Sequence, residues 1–95
     1  MNLDDLKIYR HAKDLGDGVR YIVHHWDQLK RGTIGKQLLR SADSVAANIS
    51  EGYGQYSPKD FKRYYYYSRG SLYEAEIWLK KSFKMKPGNE EMNIP

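Results

Sequence analysis

Apolar residues recur along the chain in three helical stripes separated by short polar breaks. Ile8, Ala12, Leu15, Val19, Ile22 and Trp26 step by four and three in alternation, which gathers them on one side of an α-helix. The spacing predicts a first helix from about Asp4 to Trp26, with Asp4 and Asp5 at its N-terminus, where the helix dipole favours negative charge. Gly16 and Gly18 fall inside it, and each costs about 1 kcal/mol relative to alanine in a helix interior. They mark either a close helix crossing or a weak turn. Lys30-Arg31-Gly32 reads as a connection. A second helix is expected from about Ile34 to Tyr53, with Thr33 as candidate cap and Leu38, Ala42, Val45, Ile49 and Gly52 as its stripe. Gly52 and Gly54 are expected to end it, since glycine accepts the left-handed conformation common past a helix C-terminus.

The third start signal is the clearest. Ser57-Pro58-Lys59-Asp60 sets a capping hydroxyl before a proline at the first helical position, with an acid three residues on. The helix is expected to run to about Lys86, where Pro87-Gly88 stops it, leaving 87–95 as a flexible tail after a helical domain over 1–86. Tyr64-Tyr65-Tyr66-Tyr67 has β propensity, but the helical stripe continues on both sides of it.

At about 100° per residue this third helix divides into three faces. Phe61, Tyr65, Ser68, Leu72, Ala75, Leu79 and Phe83 form the expected core face. Tyr64, Tyr67, Ser71 and Trp78 form a second, aromatic face. A helix apolar on two faces needs two packing partners, so Tyr64, Tyr67 and Trp78 are expected at an oligomer interface; the alternative is that all the aromatics pack within one chain. Lys59, Lys62, Tyr66, Arg69, Tyr73, Lys80 and Lys84 form a basic stripe with tyrosines between the cations.

Composition sharpens this. The 95 residues carry a net charge of +4, and the excess is local: residues 57–86 hold 8 basic and 3 acidic groups, whereas residues 1–33 hold 6 and 5. A clustered basic excess favours polyanions such as RNA, DNA or an acidic protein face; the alternative is an ordinary solvated helix face. The stripe offers phosphate contacts, and its tyrosines either stack on bases or pack the charged stems. Nothing in it reads base sequence, so binding led by shape and charge is expected. There are no cysteines, which excludes disulfides and thiolate zinc sites. The N-terminus lacks the apolar run of a signal peptide, and no stretch approaches the roughly 18 apolar residues of a membrane span. A cytoplasmic protein without membrane association is expected.

Catalytic constellations are weak. Gly32-Thr33-Ile34-Gly35-Lys36 hints at a phosphate loop, but the glycine spacing, a hydroxyl residue after the lysine and a preceding strand are all missing. His11, His24 and His25 do not pair at metal-chelating spacing; the adjacent two diverge by about 100° on a helix. No enzyme, cofactor or metal is expected. On the second helix Arg40, Ser44, Asn48 and Glu51 flank the apolar stripe, and Ser71 and Glu74 are available on the third. Half-buried charges need partners, so these six are expected to form a structural network joining the two helices.

At these residues the chain resembles a known family. Residues Gln37 to Gly52 match the pattern Q-L-x-R-A-x-x-S-I-x-x-N-I-A-E-G, with Ser41 and Ser50 in place of alanines. Phe61 to Leu79 matches F-x-R-x-x-x-x-A-R-G-S-L-x-E, with Ser68 in place of alanine, and Leu6 to Leu15 matches L-x-[VI]-[WY]-x-x-A-x-x-L. These patterns resemble the four-helix-bundle family of the 23S rRNA intervening-sequence proteins, which also includes the accessory variability determinant of diversity-generating retroelements. The resemblance implies an all-α, up-and-down antiparallel bundle that assembles into a homopentamer with a basic surface. In the retroelement branch it implies binding to nucleic acid and to a reverse transcriptase. The family continues into a fourth helix, whereas here Pro87-Gly88 is followed by only seven residues, so that helix is expected to be missing or truncated. Three functional readings follow: an oligomeric module holding structured RNA or DNA on the basic stripe, an adaptor docking a partner such as a reverse transcriptase, or a remnant without retained activity.

Overall fold

The computed structural model of the chain describes residues 2–55 and 57–85, and among these every regular element is helical. A 3-10 turn, Leu3–Asp5, takes Asp4 and Asp5 out of the first helix proper, and the Asn2 N–H donates to the Asp5 carboxylate at 2.9 Å. α1 follows over Lys7–His24. Asp27 caps the next start, its carboxylate accepting from the Lys30 N–H at 3.0 Å. One turn of α-helix, α2 (Gln28–Lys30), leads into a π-helical turn over Arg31–Gly35 and on into α3 (Lys36–Tyr53) without a break.

The expected connection at Lys30-Arg31-Gly32 is therefore helix. Thr33 is no cap; its hydroxyl donates back to the Leu29 carbonyl at 2.8 Å, inside the helical run. The reason lies in Gly35. It is buried, and a β-carbon there would come within 2.9 Å of Val23 and 3.4 Å of the Trp26 ring. The wider π turn carries this glycine against the end of α1, and the segment that hinted at a phosphate loop becomes a packing surface.

α3 buries Leu38, Ser41, Ala42, Val45, Ile49 and Gly52, the expected stripe with Ser41 added. It ends at Gly54, whose φ of −75° is right-handed, so the expected left-handed cap is not used. Gly52 serves a different purpose: a β-carbon on it would lie 2.8 Å from Cβ of Tyr64 and 3.3 Å from the Phe61 carbonyl. The glycine lets the start of α4 cross close over the end of α3.

α4 spans Pro58–Ser82 unbroken through the tyrosine run. Its start is as expected, with the Ser57 hydroxyl accepting from the Asp60 N–H at 3.1 Å. It stops four residues earlier than the expected Lys86, and the Pro87-Gly88 stop and the 87–95 tail lie outside the described residues.

α3 is the middle helix, antiparallel to α1 on one side and to α4 on the other, while α1 and α4 barely touch. One apolar cluster joins Val19 and Val23 of α1, Leu38 and Ala42 of α3 and Ala75 of α4; a second joins Ala12 to Val45 and Ile49. Each large aliphatic side chain buried here contributes about 1.5–3 kcal/mol. The three long helices make an elongated body of 52 × 20 × 17 Å.

Both flanking helices are rotated from the orientation their largest apolar residues suggest. α4 buries Ser68, Ala75 and Ser82, spaced by seven, and the Ser68 hydroxyl donates to the Val45 carbonyl at 2.8 Å. α1 buries Ala12, Gly16, Val19 and Val23. Small residues let backbones approach closely, so they set the line of closest contact and the large side chains straddle it. The expected core face of α4 is consequently only partly covered: Tyr65 is 38% exposed, Leu72 43% and Phe83, past the helix end, 78%.

Candidate nucleic-acid interface

Because Ser68, Ala75 and Ser82 face α3, the opposite side of α4 faces solvent. That side carries Lys59, Lys62, Tyr66, Arg69, Tyr73 and Lys80, all exposed and aligned along a single helix face. From Lys59 to Lys80 the row runs about 31 Å at 1.5 Å per residue. Lys84 is exposed too, but it lies in the turn after α4. Tyr66 is flanked by two cations of its own helix, with Lys62 Nζ 5.8 Å and the Arg69 guanidinium 5.0 Å from its ring centroid. These are the i−4 and i+3 neighbours, so the arrangement follows from spacing alone. Lys80 pairs with Glu76 at 3.0 Å, which tempers its charge.

Arg63 and Lys81 border this face, one pairing with Asp60 at 3.4 Å and stacking on Tyr64, the other lying 4.9 Å from the Trp78 ring. They belong to the same basic surface but fall outside the narrow stripe read from the sequence. The elongated body thus has one side on which cations outnumber acids, whereas α1's outer surface mixes both signs (Arg10, Lys13, Asp14, Asp17).

The expected aromatic interface is largely consumed within the chain. Tyr64 is half-buried over Gly52, and Trp78 packs on the Val19–Leu38–Ala75 cluster while its indole N–H donates to Glu74 at 3.2 Å. Tyr67, meeting Tyr64 edge-on, is 52% exposed. The rotation of α4 turns Tyr64 and Trp78 towards α3.

The polar network is smaller than expected. Arg40 and Glu74 form an ion pair between α3 and α4, extended by Trp78. Ser44 and Asn48 instead donate to carbonyls of their own helix, at 2.8 and 2.9 Å, and Glu51 accepts from Gln55. Ser71 is half-buried on α4. A second interhelical pair, missed from sequence, joins Arg20 of α1 to Asp43 of α3 at 2.7 Å, beside Gly16. Among the described residues no group of three or more His, Cys, Asp or Glu is placed to hold a metal ion. No described helix is long and apolar enough to cross a membrane.

The order of the three motifs is now matched by three packed helices, with the Gln37–Gly52 segment at their centre. The family model of the 23S rRNA-intervening sequence protein matches residues 4–93. The chain belongs to that family. Among curated proteins and among solved structures, nothing matches it. For the 23S rRNA-intervening sequence protein family, then, this chain presents an α-helical body of three long described helices with its basic excess on α4.

Proposed function

We propose that this member of the family is a non-enzymatic binding protein that holds structured RNA or DNA along the outward face of α4. The observation that carries the reading is the unbroken solvent-facing row from Lys59 to Lys80, in which Lys62, Arg69 and Lys80 alternate with Tyr66 and Tyr73. A rigid helix bearing cations at this density meets a phosphate backbone at several points at once. Tyr73, 59% exposed, offers a free ring to an unpaired base, whereas Tyr66 is already held between Lys62 and Arg69. The Arg69 guanidinium is stacked on Tyr66 and Lys80 is paired with Glu76, so the row is read as one that follows charge and shape.

The test is a salt titration of binding to a structured RNA and to duplex DNA. Replacing Lys62, Arg69, Lys80 and Lys84 together by alanine should weaken binding of all sequences alike. It should also flatten the plot of log K against log salt by about 0.9 for each duplex phosphate left unneutralised, or about 0.7 on single strands. An unchanged slope would remove this face as the binding site.

A further inference from the structure

Gly70 stands in the middle of α4 on its exposed side, and a β-carbon on it would meet nothing within 4 Å. Inside a helix only proline is less favourable than glycine. Gly35 and Gly52 have a packing reason to be glycine, since a neighbour fills the space where a β-carbon would go. Gly70 has none, so its reason lies on the solvent side.

The residue one turn further on is Tyr73. Helical side chains lean back over the turn N-terminal to their own α-carbon, which sends the Tyr73 ring towards positions 69 and 70. At 70 there is no side chain to cover the ring. At 69 the guanidinium is held over the Tyr66 ring at 5.0 Å, so a cation stands beside the bare patch. Tyr73 is 59% exposed, and among the described residues no ring, cation or hydrogen-bond partner takes it up. The tyrosines of the run before it are already engaged, Tyr64 with Tyr67 and Tyr65 with Tyr66. The two acids nearest to Tyr73 are each paired, Glu74 with Arg40 and Glu76 with Lys80. Gly18 and Tyr21 repeat the spacing on α1, but there the ring is covered by His25 at 4.7 Å, and the adjacent Arg20 is paired with Asp43. A free ring, an open helix surface beside it and an uncommitted cation occur together at Tyr73.

We infer that Tyr73 is a stacking platform for an unpaired base and that Gly70 keeps it open, so that the ligand of this face presents single-stranded nucleotides, in a loop or bulge, and is not a continuous duplex. The inference rests on the reading of the outward face of α4 as a nucleic-acid site and narrows it. In a duplex the bases stack on one another and offer no ring face to a side chain, whereas the unpaired bases of loops and bulges do. Stacking on tyrosine accepts any base, so no preference for base identity follows. Arg69 lies where the phosphate of the stacked nucleotide falls, and Lys62 and Lys59 continue the cationic row from it.

The experiment uses the full chain and two fluorescent RNAs of equal length, a hairpin with a loop of about eight nucleotides and a blunt duplex, with anisotropy read across a range of salt. Charge alone favours the duplex, whose phosphates are more densely spaced. The hairpin should nevertheless bind more tightly. Tyr73→Ala should weaken the hairpin at least about fivefold and leave the duplex as it was, while Tyr73→Phe should keep the parent's affinity. Gly70→Gln places a side chain beside the ring; it should weaken the hairpin and yet melt higher than the parent by circular dichroism, so that the loss of binding is not a loss of fold. None of these variants removes a cation, and the salt slope should stay that of the parent. Duplex binding as tight as hairpin binding, an equal loss on both RNAs, a hairpin indifferent to Tyr73→Ala or to Gly70→Gln, or a Phe variant as weak as the Ala variant would overturn the inference. Such results alongside salt-dependent binding that falls when Lys62, Arg69, Lys80 and Lys84 are removed sink the stacking platform alone. A parent chain that binds neither RNA sinks the nucleic-acid reading together with it.

Discussion

Replacing Gly52 by alanine tests the claim that close backbone approach, and not helix-ending, is why a glycine stands there. On helix propensity alone the change stabilises, by up to about 1 kcal/mol. The new methyl group, however, would arrive 2.8 Å from Cβ of Tyr64, 3.3 Å from the Phe61 carbonyl and 3.5 Å from Cα of Phe61. Two of these three neighbours are backbone, and the third is a β-carbon fixed to it, so none can swing aside. α4 must shift as a body, and overpacking of this kind costs about 1–3 kcal/mol. The net expectation is a loss of up to about 2 kcal/mol. Gly70→Ala supplies the reference: it also sits inside a helix, but its β-carbon meets nothing within 4 Å, so it should gain about 0.5–1 kcal/mol. With about 4–8 °C of melting temperature per kcal/mol for a domain of this size, the two variants should melt on opposite sides of the parent. Thermal melts followed by circular dichroism make the comparison. If Gly52→Ala melted as high as Gly70→Ala, the close crossing of α3 and α4 would be wrong.

Three further changes probe the same packing. Ser68→Leu should destabilise by about 1–3 kcal/mol in chemical denaturation, because the site is 3% exposed and lies on the line of closest contact; a neutral result would move that line elsewhere. A double-mutant cycle on Arg40→Ala and Glu74→Ala should give a coupling no larger than about 1 kcal/mol, since the two side chains are 54% and 40% exposed; a coupling several times larger would mean the pair is shielded by something not in the chain itself. Asn48→Ala should lower the melting temperature slightly and leave nucleic-acid affinity untouched, as its amide donates to the Ser44 carbonyl; a selective loss of affinity would make Asn48 part of the binding site.

The middle helix is legible almost residue by residue, because α3 is covered on two sides and its buried stripe, Leu38 to Gly52, is wide enough to follow the plain apolar pattern. The cap at Ser57 is legible for a local reason: hydroxyl, proline and acid act within four residues, whatever the rest of the chain does. The π turn is not legible. Lys30-Arg31-Gly32 reads as a connection on propensity, and only the contact of Gly35 with Val23 and Trp26 explains why the helix runs through it. That contact joins residues far enough apart that no short window around Gly35 contains its partners.

The orientations of α1 and α4 depart from the apolar pattern for one shared reason, and the fate of the basic and aromatic faces of α4 follows from it. An apolar stripe drawn through the largest side chains assumes that size decides what faces the neighbour. Between two helices the reverse holds along the axis of contact: Gly16, Ser68, Ala75 and Ser82 allow the close approach, and Leu15, Trp78 and Leu79 pack beside it. Correcting for this turns α4 by roughly a sixth of a revolution, at about 100° per residue. The turn carries Tyr64 and Trp78 inward, leaves the cations pointing away from α3, and brings Tyr65 and Leu72 to a cavity facing Ile8 and Leu15. The basic stripe survives the correction because it already lies on the far side of the helix, where a rotation of that size leaves it in solvent. The aromatic face does not, because it lies at the border, where the same rotation decides between burial and exposure. Arg69 stands at the border of the basic face, one side on Tyr66 and the other lining the cavity between α1 and α4.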